Sequence, residues 1–174
     1  MNGIRFEKVS FEQFKKDVIN CGFTNWPQND DELKEIYDSI KLPTRATSGS
    51  AGYDIILPYE IRLRKNEPIT IPTGIRAVMP ENTVLMIVPR SGQGFKYGLS
   101  LANTIGIIDS DYAFSDNEGH IMLKIFHKYG EFVLELEGGK GFAQGIFTQY
   151  CVTDDDAVTN SRNGGFGSTD KLKG

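Results

Sequence analysis

The stretch Glu131-Phe132-Val133-Leu134-Glu135-Leu136-Glu137-Gly138-Gly139 alternates apolar and acidic residues, with Val133 as the one exception, and ends in two glycines. Successive side chains of a β-strand point to opposite faces of the sheet. Phe132, Leu134 and Leu136 are therefore expected to face a core while the glutamates face water. The two glycines are typical of a turn. The pattern predicts a half-buried strand that ends in a tight turn.

Short apolar segments recur on both sides of this strand, from Ala51 to about Val152, and proline and glycine turns separate them. The predicted strands cover residues 53–57, 69–71, 75–79, 84–88, 121–126, 132–136 and 146–152. Many short strands at this spacing favour a β-sandwich, barrel or jelly roll over a sheet built from βαβ units.

The two ends of the chain differ in composition from this β region. Residues 1–43 are predicted to be helical, because Ser10 and Gln13 have the spacing of a capping box and Asn29 has the spacing to cap a second helix at Glu32. Pro43 is expected to close that second helix. Residues 154–174 are polar and rich in glycine, and we expect a flexible arm. The predicted organisation is a helical extension over 1–43, a β domain over 44–153 and an arm over 154–174.

The composition limits the classes of protein to consider. The chain has 174 residues, 39% of them hydrophobic and 24% charged, which suits one folded domain. Its 19 Lys+Arg and 23 Asp+Glu give a net charge of −4, so we expect no direct binding to nucleic acid. The longest apolar run, residues 84–88, is far shorter than the ~20 residues of a membrane span. With no visible signal peptide and two widely separated cysteines, we expect a cytoplasmic protein that does not associate with membranes.

Common catalytic motifs are missing from the sequence. It contains no phosphate-binding GxxxxGK[ST] loop, no GxSxG elbow and no HExxH zinc motif. Its two histidines, His120 and His127, each stand beside a predicted strand, and we expect both to have structural roles.

Three clusters could carry chemistry, and each also has a simpler explanation. Arg90 with Ser91 and the glycines that follow suits an anion, or forms a tight turn with a surface arginine. The segment Asp109-Ser110-Asp111-Tyr112 suits a general base or a Mg²⁺ water shell, or is an acidic turn. The glycine-rich segment 161–170 could fold over a phosphorylated ligand that carries a ring, or is an ordinary disordered terminus.

Taken in order, these three clusters and two further segments of the β region resemble the five motifs of the trimeric dUTP pyrophosphatase (dUTPase) family. The matching segments are Ala51-Gly52-Tyr53-Asp54-Ile55, Pro89-Arg90-Ser91-Gly92, Gly106-Ile107-Ile108-Asp109-Ser110-Asp111-Tyr112, Gly141-Phe142-Ala143-Gln144 and Arg162-Asn163-Gly164-Gly165-Phe166-Gly167-Ser168-Thr169. Five motifs in the family's order make an accidental match very improbable.

The resemblance implies a mainly β protein with a distorted jelly-roll β-barrel. It implies a homotrimer whose three active sites lie at subunit interfaces. It also implies Mg²⁺-assisted hydrolysis of dUTP to dUMP and pyrophosphate, which would limit uracil incorporation into DNA and supply dUMP.

The resemblance also assigns roles to individual residues. Asp109 would be the catalytic base that activates water, and Asp54 would hold Mg²⁺ through water, with the metal bound mainly by substrate phosphates. Tyr112 would pack on the deoxyribose, and Asn103 would read the uracil edge within a β-hairpin. The implied substrate-binding residues are Arg90, Ser91, Gly92, Asn103, Gly106, Ile108, Tyr112, Gln144, Arg162, Phe166, Gly167, Ser168 and Thr169.

Some features depart from the family pattern. Lys140-Gly141 replaces an acidic–basic pair in the fourth motif, and Asp170 follows the fifth where glycine is common. Residues 113–120 form an insertion, in which Asp116 and Glu118 would lie at the rim of the site or cap a longer hairpin. Residues 1–43 have no counterpart, and we expect them to pack on the β domain, with a contact to a protein partner as the alternative.

Two other functions stay open at this point. A dCTP deaminase or bifunctional relative shares the fold, but its chemistry needs a catalytic glutamate, whereas the pattern from Asp109 to Tyr112 matches the pyrophosphatase. A protein-binding module that senses dUTP would keep the fold and use the extension for its partner.

Overall fold

The computed structural model describes residues 3–22, 27 and 29–159, and in this part of the chain the secondary structure is mainly β. Three α-helices are α1 (Phe11–Asn20), α2 (Asp30–Ser39) and α3 (Ser91–Tyr97), and a 3₁₀-helix covers Ser110–Phe114. The strands are β1 (Arg5–Lys8), β2 (Thr44–Arg45), β3 (Tyr53–Ile56), β4 (Ile61–Arg64), β5 (Ile69–Pro72), β6 (Ile75–Val78), β7 (Thr83–Pro89), β8 (Ser100–Leu101), β9 (Gly106–Ile108), β10 (Met122–Phe126), β11 (Val133–Leu136) and β12 (Gly141–Gln149).

The strands form four antiparallel sheets. The largest has the order β2-β3-β12-β7-β9, and a second has the order β5-β10-β8. The pairs β1–β6 and β11–β4 complete the β structure. Most neighbours in these sheets are far apart in sequence, as expected for a jelly roll and unlike a chain of simple hairpins.

One core fills the space between the sheets. Along β7, Thr83, Leu85 and Ile87 are buried while the residues between them are partly exposed, which is the period of two expected of a strand with one face in the core. Of the three residues expected to face the core in the strand with alternating glutamates, Leu134 and Leu136 of β11 are buried. The expectation is wrong for Phe132, which lies before the strand and is 68% exposed. The prediction of a mainly β fold is confirmed.

The N-terminal helices belong to the same core. Ser10 Oγ accepts a hydrogen bond from the Gln13 N–H at 3.1 Å, and Asn29 Oδ1 accepts one from the Glu32 N–H at 2.9 Å. Both predicted helix caps are therefore confirmed. The buried residues Phe14 and Val18 of α1 join the same hydrophobic cluster as the sheet residues, together with Leu33 and Ile40 from the second helical segment. The expectation that the N-terminal extension packs on the β domain is confirmed.

The prediction of a helical segment over residues 1–43 misses one strand. Residues Arg5–Lys8 form β1, which pairs with β6 in the register Arg5↔Val78 to Lys8↔Ile75. A partner some 70 positions away sets this strand, so the local pattern carries little sign of it. None of the helices in the described part of the chain is long and apolar enough to cross a membrane.

Three further predictions from the local pattern are corrected. The pattern predicts the last strand over residues 146–152, but β12 begins at Gly141 because its first residues pair with β3. It predicts no strand over Ile61–Arg64, although these residues form β4 by pairing with β11. Ser91–Tyr97, expected as a turn or loop, is the helix α3, which ends at Gly98 with a left-handed φ of 63°.

Candidate active site

Three of the predicted site residues come together from separate segments of the chain. Asp54 lies on β3 and Gln144 on β12, and they are direct partners across that strand pair. On its other side, Gln144 is opposite Val88 of β7, and Arg90 follows the end of that strand. The first, second and fourth motifs therefore meet at one end of the largest sheet.

Arg90 joins this group through its guanidinium. Arg90 Nε lies 3.1 Å from Asp54 Oδ1, and Arg90 Nη1 donates a hydrogen bond to the Gly141 carbonyl at 3.2 Å. Gln144 Nε2 donates a longer bond to the Pro89 carbonyl at 3.4 Å. The Arg90 side chain remains 42% exposed, so its guanidinium is oriented by the protein and still accessible to an anion.

Two glycines that the sequence interpretation does not assign to the site make this packing possible. A Cβ atom at Gly141 would lie 2.8 Å from Arg90 Nη1, and a Cβ at Gly52 would overlap Gln144 Oε1. Gly52 belongs to the first motif and Gly141 to the fourth, so the motifs themselves could have identified both glycines as site residues. Gly141 also replaces the residue usual in the family, and here its carbonyl is a partner of Arg90.

Ser91 and Gly92 are the first two residues of α3, directly after Arg90. Both are exposed. The N–H of Gly94 donates to the Arg90 carbonyl at 2.9 Å, which fixes the start of the helix next to the guanidinium. Ser91 is therefore the direct sequence neighbour of Arg90, one member of the Asp54–Arg90–Gln144 group.

The segment that carries Asn103, Gly106 and Ile108 differs from the expected β-hairpin. Among the described strands, β8 pairs with β10 and β9 pairs with β7, so the two arms belong to different sheets. Asn103 lies in the exposed turn between them, where Thr104 has a φ of 68°. A Cβ atom at Gly106 would lie 3.2 Å from Ile87 Cβ, so glycine lets β9 approach β7 closely.

Asp109 and Tyr112 lie at the other end of β9. Asp109 is the residue before the 3₁₀-helix, and its carbonyl accepts a hydrogen bond from the Tyr112 N–H at 3.1 Å. Tyr112 is only 6% exposed, and its hydroxyl donates to the His120 carbonyl at 2.9 Å. Asn117 Nδ2 donates to the same hydroxyl at 2.8 Å. The tyrosine ring therefore has a fixed orientation next to Asp109.

Within one chain, Asp109 is distant from the group around Arg90. Strand β9 runs antiparallel to β7 with Ile108 opposite Leu85, so Asp109 follows at the level of Val84. Arg90 lies six residues beyond Val84 in the direction of β7. At ~3.3 Å per residue, this separation corresponds to about 20 Å. A single chain does not bring Asp109 to the Arg90 group.

Both histidines are buried and hydrogen-bonded, which confirms the expectation of structural roles. His127 Nε2 lies 3.1 Å from the Leu63 carbonyl. His120 Nε2 accepts the N–H of Gly74 at 2.8 Å, and His120 Nδ1 lies 2.6 Å from Asp17 Oδ2. Of the two acidic residues in the insertion, Asp116 is exposed and Glu118 binds Ser10 at the start of α1. Glu118 thus caps a helix, which was neither of the two roles considered for it.

The fifth motif, with Arg162, Phe166, Gly167, Ser168 and Thr169, lies outside the described residues. In the described part of the chain no group of three His, Cys, Asp or Glu side chains is arranged to hold a metal ion. Mg²⁺ is commonly held by one or two carboxylates together with waters and substrate phosphates. One carboxylate, Asp54, beside an exposed guanidinium fits that arrangement and does not fit a metal site built by protein alone.

Comparisons with known proteins point to one family. A family model for dUTPase matches residues 38–170. The chain is 40% identical over 133 residues to the deoxyuridine 5'-triphosphate nucleotidohydrolase of Lactococcus lactis, covering 75% of this chain and 88% of that one. It is 37% identical over 134 residues to the enzyme of the same name from Enterobacter sp. strain 638, covering 72% and 84%.

Solved structures show the same fold. The crystal structure of dUTPase from Streptococcus mutans superposes with a TM-score of 0.62 at 28% identity, covering 88% of this chain and 99% of that one. A mutant of the Staphylococcus bacteriophage 80alpha dUTPase with dUpNHpp has a TM-score of 0.61 at 18% identity, covering 92% and 98%. With a family model over residues 38–170 and relatives 40% and 37% identical over 75% and 72% of its length, the chain belongs to the dUTPase family.

Proposed function

We propose that this protein is a dUTP diphosphatase, which hydrolyses dUTP to dUMP and pyrophosphate. The observation that carries the proposal is the meeting of Asp54, Arg90 and Gln144 from three motifs at one partly exposed place. That place combines a cation, an amide and a carboxylate, which is the chemistry needed to bind a polyphosphate together with its metal ion. The named activity of the relatives supports the same substrate.

The phosphate chain is bound by groups with fixed positions. The guanidinium of Arg90 is held by Asp54 and by the Gly141 carbonyl, and the side chain is still 42% exposed. Gln144 and Ser91 add neutral donors next to it. Fixing the chain in one geometry aligns the phosphorus atom with the attacking water and lowers the entropic part of the barrier.

Asp54 is the residue that would hold Mg²⁺, through water, together with the oxygens of the substrate. When bound, the metal ion neutralises phosphate charge and polarises the bond that breaks. Asp54 is already 3.1 Å from Arg90, so the same carboxylate orients the guanidinium.

Asp109 is proposed as the general base that accepts a proton from the attacking water. It is partly exposed and stands at the rigid junction between β9 and the 3₁₀-helix. A carboxylate base positioned in this way contributes on the order of 10²–10⁴-fold to the rate. Asp109→Asn keeps the shape of the side chain, so we expect it to retain nucleotide binding and to lose most of the hydrolysis.

The open turn between β8 and β9 is proposed to recognise uracil. Its arms pair with β10 and β7, and we propose that the backbone between Asn103 and Ile108 presents hydrogen-bonding groups to the base. A mismatch between buried polar groups discriminates strongly, so cytosine would be refused. Tyr112, fixed by its hydroxyl, would form the wall against the deoxyribose and exclude a 2′-hydroxyl.

We propose that the active unit is a homotrimer in which each site uses more than one chain. The separation of about 20 Å between Asp109 and Arg90 along β7 supports it, because a reacting phosphate must lie within a few ångströms of both. A complementation assay tests this arrangement. Asp109→Asn chains and Arg90→Ala chains should each have little activity alone. If sites are shared, unfolding and refolding them together should restore activity in about a quarter of the sites. If the mixture stays as inactive as its components, the shared site is excluded.

The fifth motif is proposed to close over the bound nucleotide, with Arg162, Ser168 and Thr169 at the terminal phosphate and Phe166 over the uracil. The buried core residues that the structure describes end at Ala143. Deleting residues 161–174 should therefore lower hydrolysis with little change in the melting temperature. A large loss of thermal stability would show that this segment has a structural role instead.

The experiment that tests the function is a product assay with Mg²⁺ and dUTP, dCTP, dTTP and UTP, each supplied separately. Pyrophosphate from dUTP alone, with Asp109→Asn inactive but still able to bind dUTP, is the expected result. Ammonia from dCTP would indicate a deaminase. No turnover of any nucleotide, with dUTP still bound, would indicate a sensing module.

A further inference from the structure

The N-terminal helix α1 is connected to the loop after Asp109 by two polar contacts that the family motifs do not contain. One is the buried pair Asp17–His120, with Oδ2 and Nδ1 at 2.6 Å. The other is Glu118, whose carboxylate accepts from the Ser10 N–H at 2.7 Å and from Ser10 Oγ at 2.6 Å. We refer to these four residues, Ser10, Asp17, Glu118 and His120, as the α1 brace.

The histidine of the brace has a defined tautomer. The N–H of Gly74 donates to His120 Nε2 at 2.8 Å, so this nitrogen carries no proton. The proton is on Nδ1 and is donated to Asp17. His120 is completely buried, and Gln13 Nε2 donates to the same carboxylate oxygen at 2.7 Å. A buried hydrogen-bonded network of this kind fixes one arrangement of the groups that form it.

The brace continues directly to Tyr112. The carbonyl of His120 accepts the hydrogen bond of the Tyr112 hydroxyl, and Asn117, from the same segment, donates to that hydroxyl. Gly119 packs so closely on the 3₁₀-helix that a Cβ atom there would lie 2.7 Å from the Tyr112 carbonyl. The segment 117–120 therefore connects α1 with Tyr112 by direct contacts on both sides.

Backbone strain in this segment indicates that an outside contact holds it. Glu118 has a φ of 58°, a left-handed conformation that is unfavourable for a residue with a side chain. Its neighbour Gly119 also has a positive φ, of 71°. Strain of this kind persists only where the surroundings determine the conformation. The two hydrogen bonds from Ser10 to the Glu118 carboxylate supply such a constraint.

We propose that α1 is a positioning element for the active site, and that Asp17, His120 and Glu118 are positioning residues that hold Tyr112, and through it Asp109, in the reactive geometry. This inference rests on the proposed function for its catalytic consequence. The structural link between α1 and the loop stands independently of that function.

The test compares Asp17→Ala with Val18→Ala, its neighbour on the same helix. Val18 is a buried core residue, and it is not one of the four residues of the brace. We expect both variants to lower the melting temperature. Only Asp17→Ala should lower kcat/KM for dUTP, by about 10- to 100-fold, since a displacement near 1 Å can cost 10²-fold. Only Asp17→Ala should reduce the preference for dUTP over UTP, because Tyr112 would no longer be fixed.

A second readout does not depend on activity. Hydrogen exchange measured by mass spectrometry should show faster exchange over residues 109–120 in Asp17→Ala and not in Val18→Ala. Glu118→Gln, which can still bond to Ser10, should recover much of the wild-type exchange and preference that Glu118→Ala loses. If Asp17→Ala does not fold, the comparison of Glu118→Ala with Glu118→Gln tests the same proposal.

Equal exchange over residues 109–120 in all variants would overturn the inference. The same loss of dUTP preference in Val18→Ala as in Asp17→Ala would also overturn it, since general destabilisation would then be the cause. If the wild-type protein does not hydrolyse dUTP, the proposed function fails, whereas the exchange experiment still decides whether α1 holds the loop.

Discussion

Arg90, which directly follows β7, and Asp54 on β3 form an ion pair, with Nε and Oδ1 at 3.1 Å, and neither side chain is fully buried. A surface ion pair of this kind adds little to stability. Its consequence here is orientation, since the second contact of the guanidinium, to the Gly141 carbonyl, fixes the plane of the group. Because the pair adds little to folding, we expect its main role to be ligand binding.

Replacing Arg90 by lysine tests the importance of that orientation. Lysine keeps the charge but cannot donate in one plane to both Asp54 and a phosphate. We expect Arg90→Lys to lower kcat/KM for dUTP by about 10- to 100-fold, mainly through KM, because hydrogen bonds to charged groups contribute about 1.5–3 kcal/mol. Steady-state kinetics on purified protein measures it.

The matched control is Arg62→Lys. Arg62 is also an exposed arginine with a carboxylate partner, Glu135, at 3.1 Å, but it lies on β4. This variant should have wild-type kinetics. If Arg90→Lys also has wild-type KM, the guanidinium geometry is not needed for substrate binding.

Gly141 offers a test in which activity and stability separate. The added Cβ in Gly141→Ala would lie 2.8 Å from Arg90 Nη1, at the far end of a flexible side chain. The side chain can move away at small cost, so the melting temperature should change little, while dUTP hydrolysis falls several-fold. Gly49→Ala is the control, because a Cβ there meets no atom within 4 Å. Equal activity in both variants would show that the guanidinium tolerates displacement.

The local features of the chain could be predicted from its sequence. The caps at Ser10 and Asn29 depend on residues three positions apart, and the alternation in β11 depends on adjacent ones. Such signals are complete within a short window. The strands β1 and β4 were missed because each depends on a partner far along the chain.

For the candidate site, too, local features could be predicted from the sequence and long-range contacts could not. The motifs identified Asp54, Arg90 and Gln144 as residues, but only the resemblance to the dUTPase family implied that they meet. The contact of Glu118 with Ser10 joins residues 108 positions apart, and no pattern in either segment indicates it. The open turn between β8 and β9 could not be predicted from the sequence either. Its two arms belong to different sheets because β8 pairs with β10 and β9 pairs with β7.

The two cysteines should differ in reactivity. Burial raises the pKa of the Cys21 thiol to about 11, whereas Cys151 is exposed. Only the thiolate reacts with iodoacetamide, and at pH 8 a thiol with such a pKa is about 0.1% ionised. The native protein should therefore take up one label, at Cys151, and the denatured protein two. Native Cys151→Ser should remain almost unlabelled. Rapid labelling of Cys21 in the native state would show that α1 opens at its C-terminal end.

Acid should destabilise the protein through the α1 brace. Burial raises the pKa of Asp17, but the hydrogen bonds from His120 and Gln13 outweigh it, and the net pKa lies below its ordinary value of 3.8. Burial likewise raises the pKa of Glu118, and the bonds from Ser10 bring it below the ordinary 4.5. The folded state thus binds these protons more weakly than the unfolded state. Both carboxylates stabilise the fold above their ordinary pKa values, and this contribution is lost as the pH falls through the lower values of the folded state.

Thermal unfolding between pH 3 and pH 7 measures this effect. The melting temperature of the wild type should fall below about pH 4.5. Asp17→Asn should start lower at neutral pH and fall less steeply in acid, because its side chain has no proton to bind. Val18→Ala should lower the melting temperature by a similar amount at every pH, since its loss is one of apolar packing. Parallel curves for the wild type and Asp17→Asn would show that Asp17 does not contribute to the acid sensitivity of the fold.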